Sequence, residues 1–320
     1  MDRTLSNIMY RHSIDDCKFD NKTKKRVSEY RKFRDACLEQ IYGDSGTSIA
    51  NQVHDLAWHT AVFRTLNEAR RLEPDRGVNG PMWELIVAGY ANIMTLGIRK
   101  LVDRDPQTDS VWNLIKRVEK RPELLTRELF ICYDALPYDF KAVRDRLKAQ
   151  EEVPPGTIRW LSNFGPDAWS TSKRMHEVFD TLCGNPQKQK RGDTIELALF
   201  EALREALKSP CITRVQTLAS KSMAHAERLS ESSGAIPNVT YEDVDEALKI
   251  IISVTNWIAT NVFYDNAFGT IVATTTFDPL EHLDSPWVTS KHLPNLRQHW
   301  REISKTMDSW ADADPFVPRT

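Results

Sequence analysis

Apolar residues recur at three- and four-residue intervals along most of the chain, the repeat of a helix with one buried face. Residues 22–42 form a charged amphipathic pattern stopped by Gly43. Residues 48–72 carry Ile49, Val53, Leu56, Ala57, Ala61, Phe63 and Leu66 at helical spacing and end ahead of Pro74. A third stretch, 81–102, opens on Pro81 at a first-turn position, and its apolar residues from Trp83 to Leu101 cover most of the circumference. That pattern predicts a central helix enclosed by others.

After the break at Asp103-Arg104-Asp105-Pro106, Ser110 has the chemistry of an N-cap for a short helix holding Val111, Trp112, Leu114, Ile115 and Val118. Helical stretches follow over 122–135 and 139–152. Pro154-Pro155-Gly156 then opens a less regular segment with Trp160, Phe164 and Trp169; helix propensity returns at 166–182, and 184–192 is a polar, basic loop. The core pattern resumes over 194–208 and 213–230, and Thr240 with Asp243 three residues on predicts a capping box for the next helix. Beyond it lie a β-prone run at 270–276, a helix at 294–310 and a polar tail. Only twelve glycines serve the whole length, too few for a barrel or sandwich built on tight turns. The prediction is one all-α domain, a helical bundle with its core in 22–152 and 193–263, an insertion at 153–192 and a C-terminal extension at 264–320. Trp58, Trp83, Trp112 and Trp257 sit in apolar helical patterns and are expected in the core.

At 320 residues the chain can bury a sizeable core without a metal or disulfide. Its 43 basic and 45 acidic residues leave a net charge of −2, so duplex DNA is not an expected partner and any nucleic-acid contact must be local. Five scattered cysteines with no C-x-x-C pair point away from a disulfide framework and a zinc knuckle. His54 and His59 are five apart, not the four that puts two ligands on one helical face, so no metal is expected, and with no Gly-rich phosphate loop in the chain no cofactor is expected either. Met1 to Leu5 has no apolar core, and the apolar stretch 247–263 is interrupted by Lys249, Asn256 and Asn261. No membrane span and a cytoplasmic location are expected.

Chemistry is readable at Lys221-Ser222-Met223-Ala224-His225-Ala226-Glu227, where Lys221 and His225 stand four apart and would share a helical face. Arg228, three residues after His225, falls on the same side. Arg99 and Asp103, also four apart, would make an intrahelical pair near the end of the third helix. Lys188, Lys190 and Arg191 form a basic loop able to touch an RNA backbone, with Trp160 or Trp169 able to stack a base.

Three of these elements, taken in order, resemble one family. Ile98-Arg99-Lys100-Leu101-Val102-Asp103 is followed by the serine-led Ser110-Val111-Trp112-Asn113-Leu114. Lys221 to Glu227 comes far downstream, ahead of the long helix that starts after Val239-Thr240. The series is similar to the abortive-infection, AbiU-like branch of the HEPN superfamily, over roughly residues 48–263. The resemblance implies a bundle of four or five helices that forms a homodimer, RNA as target, metal-independent ribonuclease activity and an antitoxin-like protein partner. It makes His225 the general acid or base and Lys221 a phosphate contact, with Asp103 and Arg99 supporting. Arg228 is the cation that could take over from the family's missing arginine, because that position falls on Ala219. Lys100 likewise stands where the first element has its arginine. A lysine offers a point charge and not the bidentate fork of a guanidinium, so a non-catalytic dimerisation, partner-binding or nucleotide-binding module is the alternative.

Overall fold

The computed structural model describes residues 10–15, 19–75, 79–149, 162–184, 189–224, 237–272, 274–285 and 289–311. Among these it is all-helical, with eleven α-helices and no strand. The described residues fall into two compact units, Met1–Thr65 with Gly80–Ala273, and Leu66–Asn79 with Thr274–Thr320.

Local signals set most of the helix boundaries. α1 (Asn21–Tyr42) starts at Asp20, whose carboxylate accepts from the Thr23 N–H at 2.7 Å, and stops at Gly43, whose N–H returns to the Glu39 carbonyl at 2.7 Å. A Cβ on Gly43 would lie 2.5 Å from that carbonyl oxygen, so the stop requires glycine. α2 (Ile49–Leu72) and α3 (Gly80–Leu101) follow the apolar pattern closely. α4 (Val111–Glu119) is capped as expected, with Ser110 Oγ accepting from the Asn113 N–H at 3.2 Å. α10 (Tyr241–Trp257) carries the full capping box: Thr240 accepts from the Asp243 N–H and Asp243 accepts from the Thr240 N–H.

Other elements differ from the periodicity. The stretch 122–135 contracts to α5 (Arg127–Cys132), because Thr126 just before it forms an antiparallel bridge with Thr194 and the Leu125 carbonyl accepts from the Ile195 N–H. α6 is Phe140–Ala149, α7 Trp169–Asp180 and α8 Leu197–Ala206. α9 starts early, at Pro210, and ends at Leu218, where the chain changes to a π-helical turn over Ala219–Ala224. A second π turn, Ile258–Val262, ends α10. The β-prone run forms no strand at its described residues; instead the Ile271 carbonyl bonds His54 Nδ1 at 2.8 Å.

In the first unit α3, α9 and α10 pack on one another, while α4 packs on α1, α8 and α10. Met94, Ile98 and Leu101 of α3 are fully buried, each contributing about 1.5–3 kcal/mol in apolar transfer. α2 meets α3 through the stacked rings of Phe63 and Tyr90, 3.9 Å between centroids, and through Gly97, which faces Leu56. α3 is not enclosed, however. Met82, Leu85 and Ile93 form an exposed apolar edge, with Leu85 73% exposed, so the all-round apolar pattern does not make it a central helix. Trp58, Trp83, Trp112 and Trp257 are half-buried at the margin of the core and not inside it.

Within the span read as an insertion, α7 places Met175 and Phe179 in the hydrophobic core and packs on α5 and α6. α5 is tied to α7 by Arg127, the largest fully buried side chain among the described residues, which bonds Asp180 at 2.6 Å, Asp193 at 3.3 Å and Cys183 Sγ at 3.1 Å. In the second unit, α11 (Leu293–Ala311) repeats Leu293, Leu296, Trp300, Ile303 and Met307 at alternating three- and four-residue steps along one face.

Candidate phosphate-binding cleft

The C-terminal end of α3 and the turn after α9 bound an open cleft of about 590 Å³ lined by Arg99, Asp103, Arg104 and Lys221. α9 adds Thr213, Gln216 and Thr217, and the π turn adds Ser220. Among the described lining residues three are basic and one is a carboxylate. The packing of α3 against α9 and the π turn brings these sequence-distant groups together.

The local backbone explains how each group is held. α3 ends at Leu101, so Asp103 lies beyond the helix, and its carboxylate accepts from the Asp105 N–H at 3.0 Å in a tight turn. The expected intrahelical pair between Arg99 and Asp103 does not form for this reason. Ser110 Oγ donates to the Asp103 carbonyl at 2.6 Å, tying the turn to α4. Arg104, which the sequence reading passed over, packs its guanidinium 4.3 Å from the Trp112 ring centroid. The signal for it was available: an arginine beside Asp103 and an aromatic on the following helix.

Lys221 sits inside the π turn, where hydrogen bonds run to the fifth residue and not the fourth. His225 and Arg228 lie outside the described residues, as does Lys188. Ala219, which stands where the resemblance would put an arginine, is fully buried. Arg214 is not a reserve cation for the cleft, since it forms a bidentate pair with Asp243. Hydrogen bonds from Arg214 and the Thr240 backbone hold the Asp243 carboxyl below its usual range.

The basic loop lies on other elements. Arg191 bonds Glu128 at 2.8 Å and stacks 4.1 Å from the Tyr138 ring, and its carbonyl accepts from the Glu128 N–H. The backbone N–H of Lys190 donates to Asp193, leaving its side chain exposed. Trp160 is outside the described residues and Trp169 is half-buried at the start of α7. Among the described residues no cluster of three or more histidine, cysteine, aspartate or glutamate side chains is arranged to hold a metal ion. No described helix is long and apolar enough to cross a membrane. Comparison with protein-family models, with curated proteins and with solved structures gives no match.

Proposed function

We propose that this chain is an RNA-directed, HEPN-like protein of the toxin or defence type, working as a homodimer and controlled by an antitoxin-like protein partner. The cleft takes the backbone of single-stranded RNA. Arg99, Arg104 and Lys221 neutralise phosphate charge, and Asp103 fixes the turn that carries Arg104. His225 removes the ribose 2′-hydroxyl proton or protonates the leaving 5′-oxygen, and Arg228 supplements Lys221 on the phosphate. Cleavage then follows from attack of the 2′-oxygen on the adjacent phosphorus, and no metal is required. The observation that supports this reading is the shared cleft: the two segments that carry the family resemblance, one ending at Asp103 and one holding Lys221, line the same cavity.

The test is cleavage of single-stranded RNA in the presence of a chelator. The wild type should cut, and His225→Ala should abolish cutting, with Lys221→Ala slower. One observation favours the second reading, a non-catalytic module. Ala219 leaves the family's arginine position apolar and buried. That reading predicts RNA or partner binding by an intact fold with no cleavage.

A further inference from the structure

A second cleft in the first unit, also about 590 Å³, lies away from the residues discussed above and is bounded by Tyr10, Arg34, Tyr133, Arg174 and Tyr264. Like the first, it is an open groove. Most of its charges are already neutralised. Arg34, only 4% exposed, bonds Asp265 at 2.7 Å and the Phe263 carbonyl at 3.1 Å. Asp134, also on the wall, pairs with Arg31 at 3.5 Å and accepts the backbone N–H groups of Arg11 and His12. Arg174 differs: this exposed side chain on α7 has no hydrogen bond or ion pair to any described residue. Among the described charged residues that line the cleft, Arg174 is therefore the one whose charge is not matched by an ion pair.

Its other wall is built at a conformational cost. The π turn Ile258–Val262 delivers Thr260 to the cleft, and Tyr264 follows with φ 49°, in the left-handed region where glycine is cheap and a bulky side chain is not. The Tyr264 ring touches Phe130 only edge-on, at 6.3 Å, and lines the cavity half-buried. The Tyr133 ring is covered by the Arg34 guanidinium at 5.0 Å and by the edge of Tyr10. An aromatic platform kept at a strained backbone position beside one unpaired guanidinium has a specific chemical complement.

We propose that this cleft binds a monoanionic aromatic acid, with the carboxylate on Arg174 and the ring against Tyr264. A guanidinium engages a carboxylate through two parallel bonds, and a single charge balances the single free cation. A dianion would leave excess negative charge beside Asp134 and Asp265. This site is independent of the RNA cleft and stands or falls without it.

The probe is 2-naphthoate, titrated into the full chain by calorimetry, with 2-naphthamide and 2-naphthyl phosphate as the neutral and dianionic comparisons. Saturable binding of 2-naphthoate is expected, with the amide about tenfold weaker or worse and the phosphate weaker than the carboxylate. Arg174→Gln, an exposed change that leaves the fold intact, should cost about tenfold in affinity. Tyr264→Gly relieves the left-handed backbone but gives up the ring's packing on the core, so it should fold less stably and bind 2-naphthoate more weakly. No saturable binding by folded wild type, equal binding by Arg174→Gln, unchanged binding by Tyr264→Gly, or tighter binding of the phosphate would each overturn the proposal.

Discussion

The Ser110 hydroxyl donates to the Asp103 carbonyl at 2.6 Å while accepting from the Asn113 N–H at 3.2 Å, so one side chain joins the turn after α3 to the start of α4. Ser110 is fully buried, and both bonds are partly shielded from water. Ser110→Ala removes the cap and leaves the Asp103 carbonyl without this donor. The expected loss is about 1–2 kcal/mol, read as a lower urea midpoint at unchanged slope. An unchanged midpoint would show that the cap does not hold the turn.

Two glycines of α3 give opposite predictions for the same substitution. Nothing lies within 4 Å of a Cβ built on Gly89, so Gly89→Ala should gain about 0.5–1 kcal/mol from helix propensity. A Cβ on Gly97 would lie 2.5 Å from Leu56 Cδ2, and Leu56 is itself buried. Overpacking costs about 1–3 kcal/mol, which offsets or exceeds the same propensity gain. Thermal unfolding of the two variants should show a rise for Gly89→Ala and none for Gly97→Ala.

Arg127 and Arg191 are both ion-paired, yet their removal should differ severalfold. Arg127→Met leaves Asp180 and Asp193 facing an apolar side chain, and truncating one partner of a buried network costs about 3–5 kcal/mol. Those two carboxylates keep some access to water, which puts the expected loss near the lower end. Arg191 pairs with Glu128 at the surface, and Arg191→Ala should cost about 1 kcal/mol or less. Denaturant titration of both variants compares the two directly.

His176 gives the fold a pH dependence of defined sign. Its Nε2 lies 2.9 Å from the Tyr138 carbonyl and must donate to it, while its buried Nδ1 has no partner among the described residues. Burial, reinforced by the nearby Arg127 charge, lowers its pKa from the ordinary 6.5. The unfolded chain therefore binds more protons below pH 6.5, and stability falls as the pH drops through that value. Comparing urea midpoints a unit either side should show this loss in the wild type. His176→Gln keeps a donor without titrating there, and its curve should be flatter.

Where one residue's chemistry decides the backbone, the sequence was legible. Gly43, Ser110, Thr240 and Asp243 each stop or start a helix where their chemistry predicts, while the Asp20 cap of α1 appears only in the structure. Periodicity carried the helical class and the cores of α2 and α10, but it could not say whether a helix apolar all round is covered by neighbours, and Leu85 of α3 is not. The π turns at Ala219–Ala224 and Ile258–Val262 have no local signal, because they arise from a change of hydrogen-bond register and not from a residue type. The candidate cleft was legible at Arg99, Asp103 and Lys221, and missed at Arg104, whose place depends on the turn that brings it over Trp112. Arg174 and Tyr264 gave no pattern at all, since their cleft joins segments far apart in the chain.

The most direct test of RNA recognition is the salt dependence of binding to a single-stranded oligoribonucleotide. Each phosphate neutralised contributes about 0.7 to the slope of log affinity against log salt. The account predicts salt-sensitive binding by the wild type, with Arg99→Gln and Lys221→Gln each weaker and each about 0.7 shallower in slope. Binding whose slope is untouched by both substitutions, or no binding by the folded protein at low salt, would contradict it.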